Sequence, residues 1–435
     1  MIRFPSLGPG LQTGGLVLTS ETTRARTRRS RWSIAFVSAM LVLLLVGCGP
    51  QVSPYWPTLT VEGTGDDATV YLAQTATGQI VALNGGTGQV VWTFPATPER
   101  RGGLLSGCTA APATDGPFVS PPVYTQDALY VSSAGEQQRR LFSAGENQAG
   151  LRALNKFGTL QWDAKVSSDR SIASPAIDDT TAYLPSSDHS VYAIDLDTHL
   201  ARWAFGTENW VWATPLVTED RVYIASMDHS LYAVDKGNGS QIWQFTGEPG
   251  ALAASPVLSG DINPLLYVGS LGGHLYAVQA ETGDAEWDVK VEGGIWSSPL
   301  LVHDESSGFQ ALFVGTLNGY FYALDPQDGT ELWRQELPGE IRGTPAYVAG
   351  SESSAGQVYV GCGDGRLYAF DAETGSEKLS PLGQQANEAS LFASLVYDGQ
   401  YLYVVAMDGR VFALDPAEND IVWQVNPLEQ AGEEK

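Results

Sequence analysis

The sequence of 435 residues is poor in several residue types, and each shortage excludes a class of protein. It holds only three Cys and four Met, so it is not a small scaffold stapled by many disulfides. Basic side chains are scarce, with 24 Lys and Arg against 49 Asp and Glu, for a net charge of −25. Sequence-independent nucleic-acid binding relies on Lys and Arg, so we expect no nucleic-acid partner. The hydrophobic content of 43% is instead typical of a folded globular chain.

The few basic residues are concentrated at the N-terminus. Residues 1–47 contain six Arg and a single acid, Glu21, and five of these Arg directly precede the uncharged run 32–46. A basic segment followed by an apolar run of this length predicts a signal peptide, because it is short for a membrane span. The run ends Leu45-Val46-Gly47-Cys48, which resembles the lipobox of bacterial lipoproteins, where the chain is cut before a Cys that carries the lipid. A plain signal peptide or an N-terminal membrane anchor is the alternative interpretation.

Removal of residues 1–47 leaves 18 basic and 48 acidic side chains, a net charge of −30. We expect an exported protein of the cell envelope, held at the periplasmic or outer face of a membrane by the lipid on Cys48. Two or three acyl chains are expected there, because a single chain anchors a protein only marginally. Residues 48–55 are predicted to be the lipidated tether, and residues 427–435 a flexible acidic tail.

A five-residue pattern recurs eight times in the remaining chain. Its central Ala residues lie 71, 40, 40, 44, 46, 46 and 44 positions apart, at Ala82, Ala153, Ala193, Ala233, Ala277, Ala323, Ala369 and Ala413. Seven copies are followed at constant phase by a Trp, which Leu379 replaces in the seventh copy: Trp92, Trp162, Trp203, Trp243, Trp287, Trp333 and Trp423.

Each copy contains four short strand patterns separated by turn residues. In the fourth copy the strands are predicted at 212–217, 222–225 and 231–234 and around Trp243. Asn318-Gly319 and Asp364-Gly365 are typical of the tight first turn, and Thr-Gly pairs mark the second. Four strands every 40–46 residues predict an all-β protein, an eight-bladed β-propeller of four-stranded antiparallel blades. We expect this single domain to occupy residues 56–426.

The motif Tyr-Ala-Leu-Asp, then Thr-Gly, then a Trp four residues after the turn glycine, resembles the quinoprotein (PQQ-like) repeat family over nearly the whole mature chain. That family includes quinone-dependent dehydrogenases and non-enzymatic propellers. A lipid-anchored eight-bladed propeller without another domain is most similar to its members in outer-membrane protein assembly. This resemblance implies a scaffold with protein partners in an envelope complex.

The dehydrogenases of the family use a quinone, a calcium ion, a catalytic Asp and commonly a disulfide between adjacent cysteines. Here Cys108 and Cys362 are the only cysteines beyond Cys48, and no Cys-Cys pair exists. We therefore expect no catalysis, no catalytic residues and no cofactor. A quinone-binding redox protein remains one alternative, and a small-molecule or glycan receptor is another.

The repeated Trp, Ala and Asp are interpreted as structural, because a catalytic site needs one constellation whereas a contact between blades is needed eight times. The Trp is expected to pack between blades, the Ala to let sheets approach, and the Asp to close the following turn. His189, His229 and His274 are predicted at equivalent turns of consecutive blades, about 10 Å or more apart and thus too distant to share a zinc ion. His199 and His303 are predicted in loops, and we expect no metal site.

Candidate binding residues are predicted on the face that carries the first turns and the linkers between blades. The residue three before the Pro of each Ser/Thr-Pro pair is expected at the mouth of the central channel: Ile172, Trp212, Trp296 and Arg342, with Phe392 as the counterpart in the last blade. Exposed aromatic side chains beside an Arg are typical of binding hot spots. The alternative is that they only plug the channel.

Two insertions, 96–118 and 132–150, are predicted on the same face. They carry the pairs Arg100-Arg101 and Arg139-Arg140, which can receive an acidic partner segment or can be solvated loops. Cys108 lies in the first insertion, and either it pairs with Cys362 or Cys362 is a buried thiol. Addition of a partner strand to an exposed blade edge is a further way to bind.

Overall fold

The computed structural model describes residues 57–74, 77–95, 118, 120–125, 128–133, 149–248, 250–260, 262–304, 308–350, 356–378, 380, 382 and 389–427. These residues form eight four-stranded sheets in which every strand is antiparallel to its neighbour and follows it along the chain. One short 3-10 helix, Gly65–Asp67, lies between the first two strands. Within these ranges no helix is both long enough and apolar enough to cross a membrane. The sheets are the blades of an eight-bladed β-propeller, as the repeat predicts.

Blades 1 to 4 comprise β1 (Thr58–Glu62), β2 (Thr69–Gln74), β3 (Gln79–Asn84), β4 (Val90–Phe94); β5 (Val123–Thr125), β6 (Ala128–Ser133), β7 (Ala149–Asn155), β8 (Leu160–Ser167); β9 (Ala176–Ile177), β10 (Thr181–Pro185), β11 (Ser190–Asp195), β12 (Ala201–Gly206); β13 (Leu216–Val217), β14 (Arg221–Ala225), β15 (Ser230–Asp235), β16 (Gln241–Thr246).

Blades 5 to 8 comprise β17 (Val257–Leu258), β18 (Leu265–Gly269), β19 (His274–Gln279), β20 (Ala285–Lys290); β21 (Leu300–Asp304), β22 (Phe309–Gly315), β23 (Tyr320–Leu324), β24 (Glu331–Glu336); β25 (Ala346–Val348), β26 (Gln357–Gly361), β27 (Leu367–Asp371), β28 (Glu377–Lys378); β29 (Val396–Tyr397), β30 (Leu402–Val405), β31 (Val411–Asp415), β32 (Asp420–Val425).

The core of the molecule lies between the blades. The second and third strands are almost continuously buried, because a neighbouring blade covers each of their faces, and they are rich in Val, Leu, Ile and Tyr. The outer strands alternate exposed and covered side chains, as in β16. Eight apolar clusters result, each shared by two adjacent blades.

The recurrent Ala faces the recurrent Trp across the third and fourth strands of a blade. Ala233 pairs with Trp243, and the register shifts by one residue directly after this Ala. The same pair and the same shift occur in seven of the blades. A methyl side chain opposite the indole leaves it room, and the bulge fixes its direction.

The Trp also holds the next blade, which confirms its interpretation as a contact between blades. The indole N–H of Trp243 donates to the carbonyl of Ala280 in blade 5 at 3.0 Å. Its ring covers Gly283, whose φ is +80° and where a Cβ would lie 2.7 Å from the indole. The indole N–H of five further Trp residues donates to a carbonyl of the following blade in the same way: Trp92, Trp203, Trp287, Trp333 and Trp423. Trp162 instead stacks on His199, with ring centroids 4.4 Å apart.

The ring closes without a shared strand, since blades 1 and 8 each consist of four consecutive strands. The indole N–H of Trp423 donates to the carbonyl of Gly85 at 2.5 Å. The hydroxyl of Tyr401 donates to Asp66 Oδ1 at 3.0 Å, and the N–H of Gly65 donates to Asp398 Oδ2 at 2.7 Å. Side-chain packing and hydrogen bonds therefore join the first blade to the last.

Three local predictions are wrong. The first strand of blade 4 is β13, Leu216–Val217, rather than 212–217, because the N–H of Thr214 donates to Ser255 Oγ of the next linker and Pro215 has no N–H. His303 lies in β21, where it pairs with Gln310, rather than in a loop. His274 begins β19, one position later than His189 and His229, which occupy the left-handed turn position with φ of 69° and 74°.

Candidate functional site

The linkers between blades are fixed to the first turns, the turns that join second and third strands. The N–H of Val211 donates to the carbonyl of Ser186, and that of Ile295 to Ser270, at 3.1 and 2.9 Å. Ile341 donates to Thr316 and Leu391 to Cys362 in the same manner. Linkers and first turns therefore share one face of the propeller, which we call the mouth face.

In each linker, the residue whose N–H donates to the first turn determines the position of the side chain that follows it. Val211, Ile295, Ile341 and Leu391 are fully buried between blades. The next residue in each linker is Trp212, Trp296, Arg342 or Phe392, and these four side chains line a cavity of about 590 Å³ at the channel axis. A buried apolar residue followed by a large channel-facing one is the local pattern that forms the site.

The structure brings together the five residues predicted at the channel mouth, since Ile172 lines the same cavity. Trp212 lies 6.3 Å from Trp296 between ring centroids, at an interplanar angle of 51°. Its indole N–H donates to Ser187 Oγ at 3.2 Å. The two indoles therefore form adjacent walls of one cleft.

Sequence reasoning missed Trp210, which stacks on Trp212 at 4.8 Å with an interplanar angle of 12°. Trp210 is 41% exposed, so the pair presents an open aromatic surface. Its spacing of two residues from Trp212 in one linker is the signal that could have indicated it. Trp210, Trp212, Trp296, Arg342 and Phe392 are called the mouth cluster below.

Arg342 is held between two aromatic rings. Its guanidinium carbon lies 5.6 Å from the centroid of Trp296 and 5.2 Å from that of Phe392, distances at which a cation is attracted to the ring face. Its Nη2 donates to Glu340 Oε2 at 2.8 Å. The guanidinium is therefore both oriented and electrically balanced, and Glu340 is a second residue that the sequence did not reveal.

A second pair of opposite charges lines the cavity at Asp169 and Arg170, with Arg170 Nε 3.6 Å from Asp169 Oδ1. The sequence did not single out this pair either. Since Arg342 is paired with Glu340, the charges of the lining are matched two by two.

Hydroxyl groups at the inner ends of the blades form the wall below the aromatic residues. The N–H of Thr214 donates to Ser255 Oγ at 2.9 Å, that of Ser255 to Ser298 Oγ at 3.1 Å, and that of Thr344 to Ser394 Oγ at 3.1 Å. All five residues line the cavity. These bonds join adjacent blades around the axis, and they explain why Ser or Thr stands before the Pro of most linkers.

Several predicted residues lie outside the described residues: Cys48, Arg100, Arg101, Cys108, Arg139, Arg140 and Leu379. The strands on either side of the insertions are described. β4 ends at Phe94, while the second insertion joins β6 to β7 as a first turn of blade 2. By this connection the strand ends that flank both insertions lie at the mouth face.

Cys362 is a free thiol, fully buried at the first turn of blade 7. Its Sγ donates to the carbonyl of Gly339 at 3.4 Å, and burial raises the pKa of the thiol to about 12.

Of the histidines, His229 accepts the N–H of Gly250 at Nδ1 (2.6 Å), and His274 Nδ1 lies 2.8 Å from Asp288 Oδ1. Among the residues that the structure describes, no three His, Cys, Asp or Glu are grouped so as to hold a metal ion.

Fold and site together define a propeller of PQQ-like repeats with an aromatic and arginine-lined channel mouth. The family model described as outer membrane protein assembly factor BamB matches residues 24–204, 147–294 and 305–434. The chain belongs to this family, and the resemblance inferred from its repeat is thereby confirmed.

Two solved structures illustrate the fold. The crystal structure of BamB from Moraxella catarrhalis has a TM-score of 0.56 and 20% identity, with 71% of this chain and 87% of that chain covered. The crystal structure of the computationally designed Ika8 protein has a TM-score of 0.60 and 14% identity, over 82% of this chain and 96% of the other. At these identities the likeness is one of fold. No curated protein matches the chain in sequence.

Proposed function

We propose that the protein is a non-catalytic docking scaffold of the cell envelope, anchored by a lipid on Cys48 and acting in outer-membrane protein assembly. The observation that carries the proposal is the mouth cluster, in which Trp210 is exposed and Arg342 is fixed between Trp296 and Phe392. Trp and Arg are the residues most enriched at the energetic centres of protein interfaces. Membership of a family named after an outer-membrane assembly factor supports the same function.

The scaffold role is supported by the stiffness of the ring. Every pair of adjacent blades shares an apolar cluster, and the linkers are hydrogen-bonded to the first turns. Side chains held by such a frame lose little conformational freedom when a partner binds, so more of the contact energy is retained as affinity.

The docking test is capture of partners by the membrane-anchored protein and by its Trp212→Ala, Trp296→Ala and Arg342→Ala variants. Removal of a hot-spot side chain typically costs about 2 kcal/mol or more, which is a loss of roughly thirtyfold or more in affinity. We expect partner recovery to fall in each variant and to remain normal in a Phe157→Ala control, a 71% exposed residue at the second turn of blade 2. Equal recovery from all four variants would contradict a docking role for the mouth cluster.

The two arginine pairs of the insertions are proposed to steer an acidic segment of the partner towards the mouth face. Exchange of Arg100, Arg101, Arg139 and Arg140 for Glu should slow association with a captured partner at low salt, with a smaller effect at high salt. Association rates measured at two ionic strengths test this, and rates that do not change at either salt concentration rule it out.

The anchor is tested separately by Cys48→Ala. We expect the variant to appear in the soluble fraction of the envelope, whereas the unaltered chain remains with the membranes. Retention of the variant on the membranes would show that Cys48 does not carry the attachment.

A further inference from the structure

The mouth cluster and the hydroxyl groups beneath it also indicate what chemistry a partner must present. The lining charges are already matched, because Arg342 Nη2 lies 2.8 Å from Glu340 Oε2 and Arg170 Nε lies 3.6 Å from Asp169 Oδ1. A charged ligand group would compete with the half-buried Arg342–Glu340 pair, whereas the Arg170–Asp169 pair is more than 40% exposed and is screened by water. Because Arg342 already has a carboxylate beside it, the geometry favours a segment that is uncharged where it contacts the mouth cluster.

The wall of the cavity offers hydrogen-bond donors. The oxygens of Ser255, Ser298 and Ser394 each accept a main-chain N–H, and none of these hydroxyls donates to another group in the described part of the chain. Each hydroxyl therefore has its hydrogen to give. Thr58 also lines the cavity, and its hydroxyl has no hydrogen-bond partner among the described residues although the side chain is only 8% exposed.

Trp210 adds a donor at the rim. An indole N–H can only donate, and that of Trp210 has no acceptor within the described ranges. The four hydroxyls and the indole N–H together offer five hydrogen-bond donors, so the site suits a ligand that presents acceptors.

The aromatic part of the site requires flat apolar groups. Trp210 and Trp212 are nearly parallel, and Trp296 is inclined to Trp212 by 51°, so the indoles form an angled groove. A proline ring is compact, apolar and only slightly puckered, and a proline residue has a carbonyl acceptor but no N–H donor. Proline-rich segments adopt the polyproline II conformation, which docks in aromatic-lined grooves at low entropic cost.

We propose that the channel mouth binds an uncharged, proline-rich segment of the partner protein. This inference rests on the proposed docking function and specifies the partner of that same site. A sugar could also stack on the indoles, but its hydroxyls are donors as well as acceptors. Asp169, the carboxylate of the lining, already lies 3.6 Å from Arg170, and the donors of the wall match the carbonyl acceptors of a proline segment.

The test uses the full mature chain in detergent and acetyl-(Pro)8-amide as the probe, with acetyl-(Gly-Ser)4-amide as the matched control. Calorimetry should show oligoproline binding with a Kd of about 1 mM or tighter, and with no more than a small change between 50 and 500 mM salt, because no net charge is involved. The Gly-Ser peptide should bind at least about tenfold more weakly.

Trp210→Ala and Trp296→Ala should each weaken oligoproline binding by about tenfold or more, whereas Phe157→Ala should leave it unchanged. Trp210 is 41% exposed, so its replacement leaves the core intact, and thermal unfolding of each variant confirms that the ring is folded. Absence of binding at 5 mM, equal binding of the Gly-Ser peptide, or unchanged binding in both Trp variants overturns the inference. So does binding of an uncharged oligosaccharide in place of the peptide.

The two proposals can fail separately. If partner capture depends on Trp212 and Trp296 but oligoproline does not bind, the docking function stands and the proline-rich partner is wrong. If oligoproline binds but capture does not depend on the mouth cluster, the site has the proposed chemistry without the proposed role.

Discussion

At the scale of single residues, three small choices produce six of the contacts between blades. An Ala opposite the Trp makes room for the indole, a carbonyl of the next blade accepts its N–H, and a glycine lies under its ring. Each choice is local in sequence, but its effect is to join sheets about forty residues apart. Recurrence of one residue type in this fold therefore marks packing, and a residue found once is the better candidate for function.

Trp243→Ala is expected to lower the free energy of unfolding by about 3–5 kcal/mol, because Trp243 is largely buried and its removal leaves a cavity between blades 4 and 5. Denaturant unfolding followed by circular dichroism measures the change. The exposed Trp210→Ala serves as the control and should differ little from the unaltered protein. A loss of similar size in both would contradict the interpretation.

Gly283→Ala tests the opposite side of the same contact. The new methyl group would lie 2.7 Å from Trp243 on a backbone with φ of +80°, so the blades would have to separate. The unfolding midpoint should fall, whereas Gly260→Ala, where no atom lies within 4 Å of the new methyl, should leave it nearly unchanged. Equal midpoints for the two variants would show that the glycine is not needed.

Cys362 is expected to be unreactive in the native protein. The thiolate is the reacting form, and burial raises the pKa of this thiol to about 12. With Cys48 and Cys108 changed to Ser, a chromogenic disulfide at pH 8 should label almost no thiol until denaturant is added. Rapid labelling of the native chain would show that the first turn of blade 7 opens to solvent.

The sequence alone was sufficient to predict the structural role of the residues that repeat. It was insufficient to predict the contacts of the residues that occur once. Trp243 could be placed because seven copies carry a Trp at the same spacing, and Gly283 because Thr-Gly recurs at the second turn. Trp210 and Glu340 occur in one linker each, and only the folded structure shows that they contact Trp212 and Arg342.

At the scale of elements, tyrosine hydroxyls hold strands to the turns beside them. In three blades a Tyr of the third strand donates to the Asp of the preceding first turn, at 2.8 Å in each case: Tyr192 to Asp188, Tyr232 to Asp228, and Tyr368 to Asp364. Burial first, then the hydrogen bond and charge of the Asp, raise the pKa of Tyr232 to about 12. Tyr192 and Tyr368 are shifted to about the same value.

These shifts predict loss of stability in alkali. A free Tyr has a pKa of about 10, so the unfolded chain loses these protons before the folded one does. The stabilisation is complete below about pH 10 and decreases as the pH rises towards 12. Thermal midpoints measured between pH 9 and 11.5 should fall, and Tyr232→Phe should reduce the slope. Parallel curves for the two proteins would contradict this origin.

At low pH a carboxylate has the opposite effect on stability, because its pKa is lowered in the folded protein. Burial alone would raise the pKa of Asp188, but the N–H of Ser168 and the hydroxyls of Tyr192 and Ser167 lower it below its ordinary value. Stability from this carboxylate is therefore present at neutral pH and is lost as the pH falls below about 4. Asp188→Asn should make the thermal midpoint less sensitive to acid between pH 5 and 3.

The innermost strands are the elements whose bounds the sequence patterns predicted least accurately. Trp212 precedes Pro215 at a spacing that suits an extended strand, yet ladder pairing begins only at Leu216. The preceding residues bond to a first turn and to the next blade, and strand patterns carry no information about such distant partners.

At the scale of the whole molecule, blades 1 and 8 meet without the linker that connects every other pair. Trp423→Ala should therefore open this boundary specifically, since Tyr401, Asp66 and the shared apolar cluster remain as its other contacts. Hydrogen exchange should accelerate in β1 and β32 more than in the other blades. In Trp243→Ala a covalent linker still spans the affected boundary, so local exchange should change less. Uniform exchange in both variants would contradict a special weakness at closure.

Because no strand is shared between the first and last blades, the folded ring does not depend on which blade comes first in the chain. A circularly permuted chain, with Asn426 joined to Pro57 by a short peptide and new ends in the linker after Thr246, should assemble the same eight sheets. The mouth cluster should then be intact, while the N-terminal segment, for which a lipid on Cys48 is proposed, would be joined to the ring at blade 5 rather than at blade 1. The proposed point of membrane attachment and the proposed binding face can therefore be separated by permutation, which would change the orientation of the ring relative to the membrane while keeping its eight sheets.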